Sequence, residues 1–138
     1  MANNIRHINP EGLFQSPAFS QMVVTEGPGK TIYIGGQNAV NAKGEPVGKG
    51  DLTAQTEQVM RNIVTALASC GATLNNVVKL TIYIVQGQDP VLGYKAAAPF
   101  MSEVTAPPAI TGVLVAGLAH PDYLVEIEAT AFISDSRP

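Results

Sequence analysis

The chain has a single cysteine, Cys70, in 138 residues. One thiol excludes an intrachain disulfide framework and a thiolate metal cluster, and at the end of an amphipathic segment it reads as a small buried hydrophobe. Histidine is nearly as scarce. His7 and His120 lie far apart, and neither has a second ligand at helical or zinc-finger spacing, so no metal and no cofactor is expected. Eight basic residues against eleven acidic ones give a net charge of −3. They are scattered singly from Arg6 to Arg137, with no stripe to follow a phosphate backbone, which disfavours a nucleic-acid partner. No apolar run approaches a membrane span, and the opening stretch Met1-Ala2-Asn3-Asn4-Ile5-Arg6 lacks the hydrophobic core of a signal peptide. The expectation is a cytoplasmic protein with no membrane partner.

Charge itself is sparse. Charged residues make up 14% of the chain, against roughly 25% in an ordinary soluble domain. Residues 1–138 fit one domain, long enough to bury a real core. A monomer with so few charges would leave apolar surface uncovered, so a homo-oligomer is the better expectation.

What is present is a clear alternation of periods. Residues 5–9 could form a short edge strand, and residues 19–24 and 31–35 read as strands joined by Gly27-Pro28-Gly29, a hairpin signal. The paired glycines Gly35-Gly36 mark either a bulge or a close approach to the backbone. Asp51 is a plausible N-cap for a helix in which Leu52, Val59, Ile63, Leu67 and Cys70 recur near multiples of 3.6, with Gly71 as its stop and Gln55, Gln58 and Asn62 on its polar side. A strand follows over residues 77–85. A second helix is expected over residues 91–103, after Asp89-Pro90, and a strand over residues 109–115, after Pro107-Pro108.

The last strand, residues 124–133, sets Val125, Ile127, Ala129, Ala131 and Ile133 on one face. Glu126, Glu128 and Thr130 share the other with Leu124 and Phe132. The two carboxylates are either solvated on an exposed strand or border a cleft, where one would be a candidate acid, base or water-holder. Two helices cover only one face of such a sheet, and several strands are apolar on both faces. Identical subunits are the economical cover for the other face, with clefts between them.

Gly36-Gln37, Asn62, the run Val77-Val78-Lys79-Leu80-Thr81-Ile82-Tyr83, Pro108-Ala109 and Leu124-Val125-Glu126-Ile127-Glu128-Ala129, in this order and spacing, closely resemble the RidA/YjgF family, also called L-PSP endoribonucleases. The likeness spans residues 19–133. It implies an α+β, chorismate-mutase-like fold: a mixed six-stranded sheet with two helices on one face, forming a homotrimer around a central β-barrel with small-molecule clefts between subunits. The activity it implies is hydrolytic deamination of enamines and imines such as 2-aminoacrylate. The arginine that grips the substrate carboxylate in the family falls at Ile110 here. Phe19 stands where a tyrosine is common, Gly35 where a serine or threonine often precedes Gly-Gln, and the early asparagine of the second helix is replaced near Gly93 or Tyr94. The acidic position carries over as Glu126.

From the resemblance and strand geometry together, Glu126 is the candidate catalytic residue, orienting or activating water from a place beside Phe19, Ile110 and Tyr94. Gly35, Gly36, Gln37, Pro108 and Ala109 complete the candidate substrate site with those three neighbours. Glu128 is expected to make an intersubunit or backbone hydrogen bond, and Thr81 or Tyr83 to line the cleft wall. An unpaired carboxylate facing Ile110 would cost about a hundredfold or more in affinity, so the expected ligand is larger or less anionic than a small 2-imino acid. The alternatives are a non-catalytic metabolite-binding trimer and an endoribonuclease.

Overall fold

Asp51 opens the longest helix: its backbone is extended, and its carboxylate accepts a 3.0 Å hydrogen bond from the Ala54 N–H. The helix, α1, runs Leu52–Ala68 and buries Leu52, Val59, Ile63 and Leu67 almost completely. At about 1.5–3 kcal/mol for each fully buried aliphatic side chain, that stripe is ample to hold α1 on a sheet. The computed structural model describes residues 4–135, so residues 1–3 of the opening stretch and Arg137 lie outside it.

The remaining elements are β1 (Ile5–Ile8), β2 (Met22–Thr25), β3 (Gly29–Gln37), β4 (Val77–Val85), α2 (Pro90–Ala97), β5 (Ala109–Val115) and β6 (Val125–Ser134). The main sheet has the order β3-β6-β4-β5, antiparallel except for β4 and β5, which the crossover through α2 makes parallel. Val125, Ile127, Ala129 and Ala131 of β6, with Leu80 and Ile84 of β4, face the helices and form the core with α1. The opposite face carries no helix. Tyr33 is 81% exposed there. Among the described residues, no helix is long and apolar enough to cross a membrane.

Four expectations need correction. The described strands do not form one six-stranded sheet: β1 and β2 make a separate two-stranded ribbon, and the main sheet has four strands. Nor do β2 and β3 form a hairpin. The Gly27-Pro28-Gly29 turn passes the chain from one sheet to the other, because β3 pairs with β6, Ile32 opposite Ala131 and Ile34 opposite Ala129, while β2 pairs with β1. The second helix is α-helical only to Ala97 and ends in a 3-10 turn over Ala98–Met101, since Pro99 has no N–H to continue the ladder. Finally, Cys70 is exposed and Gln55 buried, the reverse of the expected assignment. α1 stops at Ala68, so its apolar stripe never reaches Cys70. Gln55 is buried because it ties loops together: its amide donates to the Gly48 and Asp122 carbonyls at 3.1 and 2.9 Å and accepts from the Leu124 N–H at 2.8 Å.

Candidate functional site

The tandem prolines fix one half of the site. Pro108 is almost fully buried, and its carbonyl accepts a 2.9 Å hydrogen bond from the Ser20 N–H while the Ser20 hydroxyl donates to the Pro107 carbonyl at 2.5 Å. This clamp lays residues 16–19 along the entry to β5 and brings Phe19 to the mouth of a cavity of about 770 Å³. The cavity lies between α2 and the helix-facing sides of β4, β5 and β6. Ile110 and Gly112 of β5, opposite Leu80 and Ile82 of β4, supply its floor, and Met60 of α1 and Tyr94 of α2 line it from the helical side. A Cβ built on Gly112 meets nothing within 4 Å, so this glycine leaves real space.

The other half is built on β6 and β3. The pairing of these strands slips between Ile34 and Gln37, which puts a bulge at Gly35-Gly36. The Glu126 carboxylate lies directly over it: a Cβ on Gly36 would overlap Oε2 and sit 2.7 Å from Cδ. The close approach and the bulge therefore coexist. Glu126 Oε1 accepts a 3.1 Å hydrogen bond from Asn38 Nδ2, and no described residue donates to Oε2. Asn38 is held in turn by Asn62 of α1, whose amide donates to the Asn38 and Val40 carbonyls at 3.1 and 3.0 Å and accepts from Gln58 at 2.8 Å. A buried helix thus positions the loop, and the loop positions one carboxylate oxygen.

These halves do not meet within one chain. Alternation along β6 sends Val125 and Ile127 into the cavity and Glu126 to the face without helices, so Glu126 is not beside Phe19, Ile110 and Tyr94 as expected. Gly35, Gly36 and Gln37 go with Glu126. Gln37 folds its amide back onto the Gly35 carbonyl at 3.0 Å. Ala109, one residue from Ile110 and paired with Lys79, faces away from the cavity, and Pro108 serves as the buried prop behind it. Gly112, Met60, Asn38 and the supporting role of Asn62 escape a sequence reading. The one available signal was the period-2 phase of β5, which puts Gly112 on the same side as Ile110.

Glu128 accepts a 2.6 Å hydrogen bond from the Tyr83 hydroxyl across the sheet, a side-chain contact within the chain. That bond, then desolvation and the charges of Glu128 and Glu126, raise the Tyr83 pKa above its ordinary value of 10.0. The protonated phenol is the form the fold favours. Its contribution is therefore complete below the ordinary tyrosine range and is lost as pH rises through the raised pKa. Ultraviolet titration of the phenols should show one component above the ordinary midpoint that disappears in Tyr83→Phe; an unchanged difference curve would refute the bond.

The family model described as endoribonuclease L-PSP matches residues 13–133. A RutC family protein of Pyrococcus horikoshii is 36% identical over 104 residues, covering 75% of this chain and 80% of its own. The crystal structure of YyfB, a Rid-family protein of unknown function from Yersinia pestis, matches with a TM-score of 0.84 and 40% identity over 95% of this chain and 100% of that one. The structure of E. coli TdcF with bound serine matches with a TM-score of 0.68 and 26% identity, over 80% of this chain and 91% of that one.

Proposed function

The chain belongs to the RidA/YjgF family of endoribonuclease L-PSP-like proteins, and from that premise we propose that it hydrolyses a C=N bond at a site shared between subunits of a homotrimer. The cavity bounded by Phe19, Tyr94 and Ile110 of one protomer holds the imine or enamine, and the Gly36–Glu126 station of a neighbour delivers water. The observation that carries this reading is the Glu126 carboxylate, anchored through Oε1 by Asn38 and open at Oε2, on the sheet face that no helix covers.

Glu126 Oε2 accepts a hydrogen bond from the attacking water and takes its proton as the new C–O bond forms at the imine carbon. That proton passes from Glu126 to the nitrogen as the C=N π bond opens, an enamine having first tautomerised to the imine. Collapse of the resulting carbinolamine breaks the C–N bond, releases ammonia and leaves the carbonyl product. Water is the only co-reactant. A small 2-imino acid is a poor substrate, because Ile110 offers its carboxylate no partner.

Complementation tests the shared site. Glu126→Gln removes the proposed base, and Gly112→Phe fills the cavity; each homotrimer should be nearly inactive in ammonia release from imines generated by an amine oxidase. If each site draws on two protomers, random co-assembly of the two variants restores roughly a quarter of the wild-type activity, since that share of sites receives both intact halves. Mixed assemblies as inactive as their parents, or a wild-type protein that never outpaces spontaneous hydrolysis, would refute the proposal.

A further inference from the structure

The cavity is large for a deaminase of small amino-acid derivatives. At about 30 Å³ per water-sized group, its volume of about 770 Å³ has room for roughly 25 such groups, whereas 2-aminoacrylate has only a handful of heavy atoms. Its lining contains no charged side chain. Of the basic residues on the surrounding elements, Lys79 donates to Thr111 at 2.5 Å on the opposite face of the sheet and Arg61 reaches Gln58 at 3.3 Å, while Lys95 of α2 is exposed to solvent and is not part of the lining. Of the four lining hydroxyls, on Ser16, Thr56, Tyr94 and Thr105, two are engaged within the chain. Thr56 donates to the Leu52 carbonyl at 2.8 Å, and Ser16 accepts from the Ala18 N–H at 3.1 Å. Tyr94, 58% exposed at the rim, makes no side-chain hydrogen bond with any described residue.

The geometry points to one ligand class, and the inference rests on reading this cavity as the ligand half of the site. We infer that the protein takes an uncharged molecule of about ten or more heavy atoms, a hydrocarbon body with one polar end, the body lying against Ile82, Ile110 and Met60 and the polar end meeting the Tyr94 hydroxyl. Ile110 and Gly112 set this specificity. They face the same space from one strand, one excluding charge by giving it no partner, the other providing width by having no side chain.

Octanamide and octanoate form a suitable probe pair, equal in size and different in charge. Titration calorimetry on the wild-type protein should find octanamide bound at least about tenfold more tightly than octanoate, because the lining offers a carboxylate no cation and the Tyr94 hydroxyl alone does not replace its hydration. Ile110→Arg should reverse the preference. Gly112→Leu, an ordinary strand position for a side chain, should weaken octanamide at least about tenfold, and it keeps the inference testable should the arginine variant not fold. Octanoate binding as tightly as octanamide would overturn the inference, whether a cation comes from this chain or from a neighbour. Failure of both probes to bind would overturn it too, since the cavity would then be filled by another part of the assembly. The two readings can fail separately. Octanamide binding that survives Glu126→Gln, in a protein that hydrolyses no imine, removes the catalytic proposal and leaves this one standing. Efficient hydrolysis of 2-aminoacrylate does the opposite.

Discussion

Glu126→Gln is expected to lower imine hydrolysis by about 10²–10⁴-fold, the range that one positioned general base contributes. The substitution is close to isosteric. Glutamine keeps a carbonyl oxygen to accept the Asn38 amide at the place where Oε1 now accepts it at 3.1 Å, so the link from Asn62 through Asn38 to β6 survives. What changes is the other oxygen, which becomes an amide nitrogen and can no longer take a proton from water. Because the side chain is half-exposed and supports no part of the core, stability should move by no more than about 0.5 kcal/mol. The loss should fall on kcat, with KM nearly constant, since the cavity proposed to hold the ligand does not include Glu126. A folded Gln variant with wild-type turnover would leave Glu126 no chemical role.

Much of the fold was legible because it is encoded locally. The Asp51 cap, the buried stripe of α1, the alternation in β4 and the Pro107-Pro108 start of β5 are signals within single segments, and those elements lie where their patterns put them. Strand partnership is a different kind of information. β2 and β3 are joined by a turn sequence that reads as a hairpin, yet β3 finds its partner about a hundred residues away in β6, and no local period specifies that choice. The same division runs through the site. Glu126 stood out because a carboxylate on an apolar strand is anomalous, and Ile110 because it replaces a charge. Asn38 looked like an ordinary loop residue; its value comes from contacts with Glu126 and Asn62, each distant in sequence. Alternation could have shown that Ile127 and Glu126 point oppositely, and hence that Glu126 and Ile110 cannot share a pocket in one chain. Opposite faces of one sheet can contribute to one site only if another copy of the chain closes it.

The bulge glycine offers the sharpest separation between folding and catalysis. Gly36→Ala is expected to reduce imine hydrolysis nearly as much as Glu126→Gln does, while Tm shifts only slightly. The added Cβ would overlap Oε2 and lie 2.7 Å from Cδ and 3.0 Å from Cγ of Glu126, well inside contact distance. One of the two must yield. Every atom in conflict belongs to the side chain of Glu126, which is half-exposed and can rotate away without disturbing β6, so the backbone keeps its register. The cost is one exposed-side hydrogen bond from Asn38, about 1 kcal/mol, partly offset because alanine loses less backbone entropy than glycine on folding. Gly36 has no positive φ, so alanine suffers no backbone strain there. At neighbouring Gly35 a Cβ meets nothing within 4 Å, and Gly35→Ala provides the stability comparison with no displaced carboxylate. Thermal melts and ammonia-release rates on both variants decide the matter. If Gly36→Ala unfolds the protein, the conflict lies in the backbone; if it keeps full turnover, the carboxylate over the bulge is not the group that handles water.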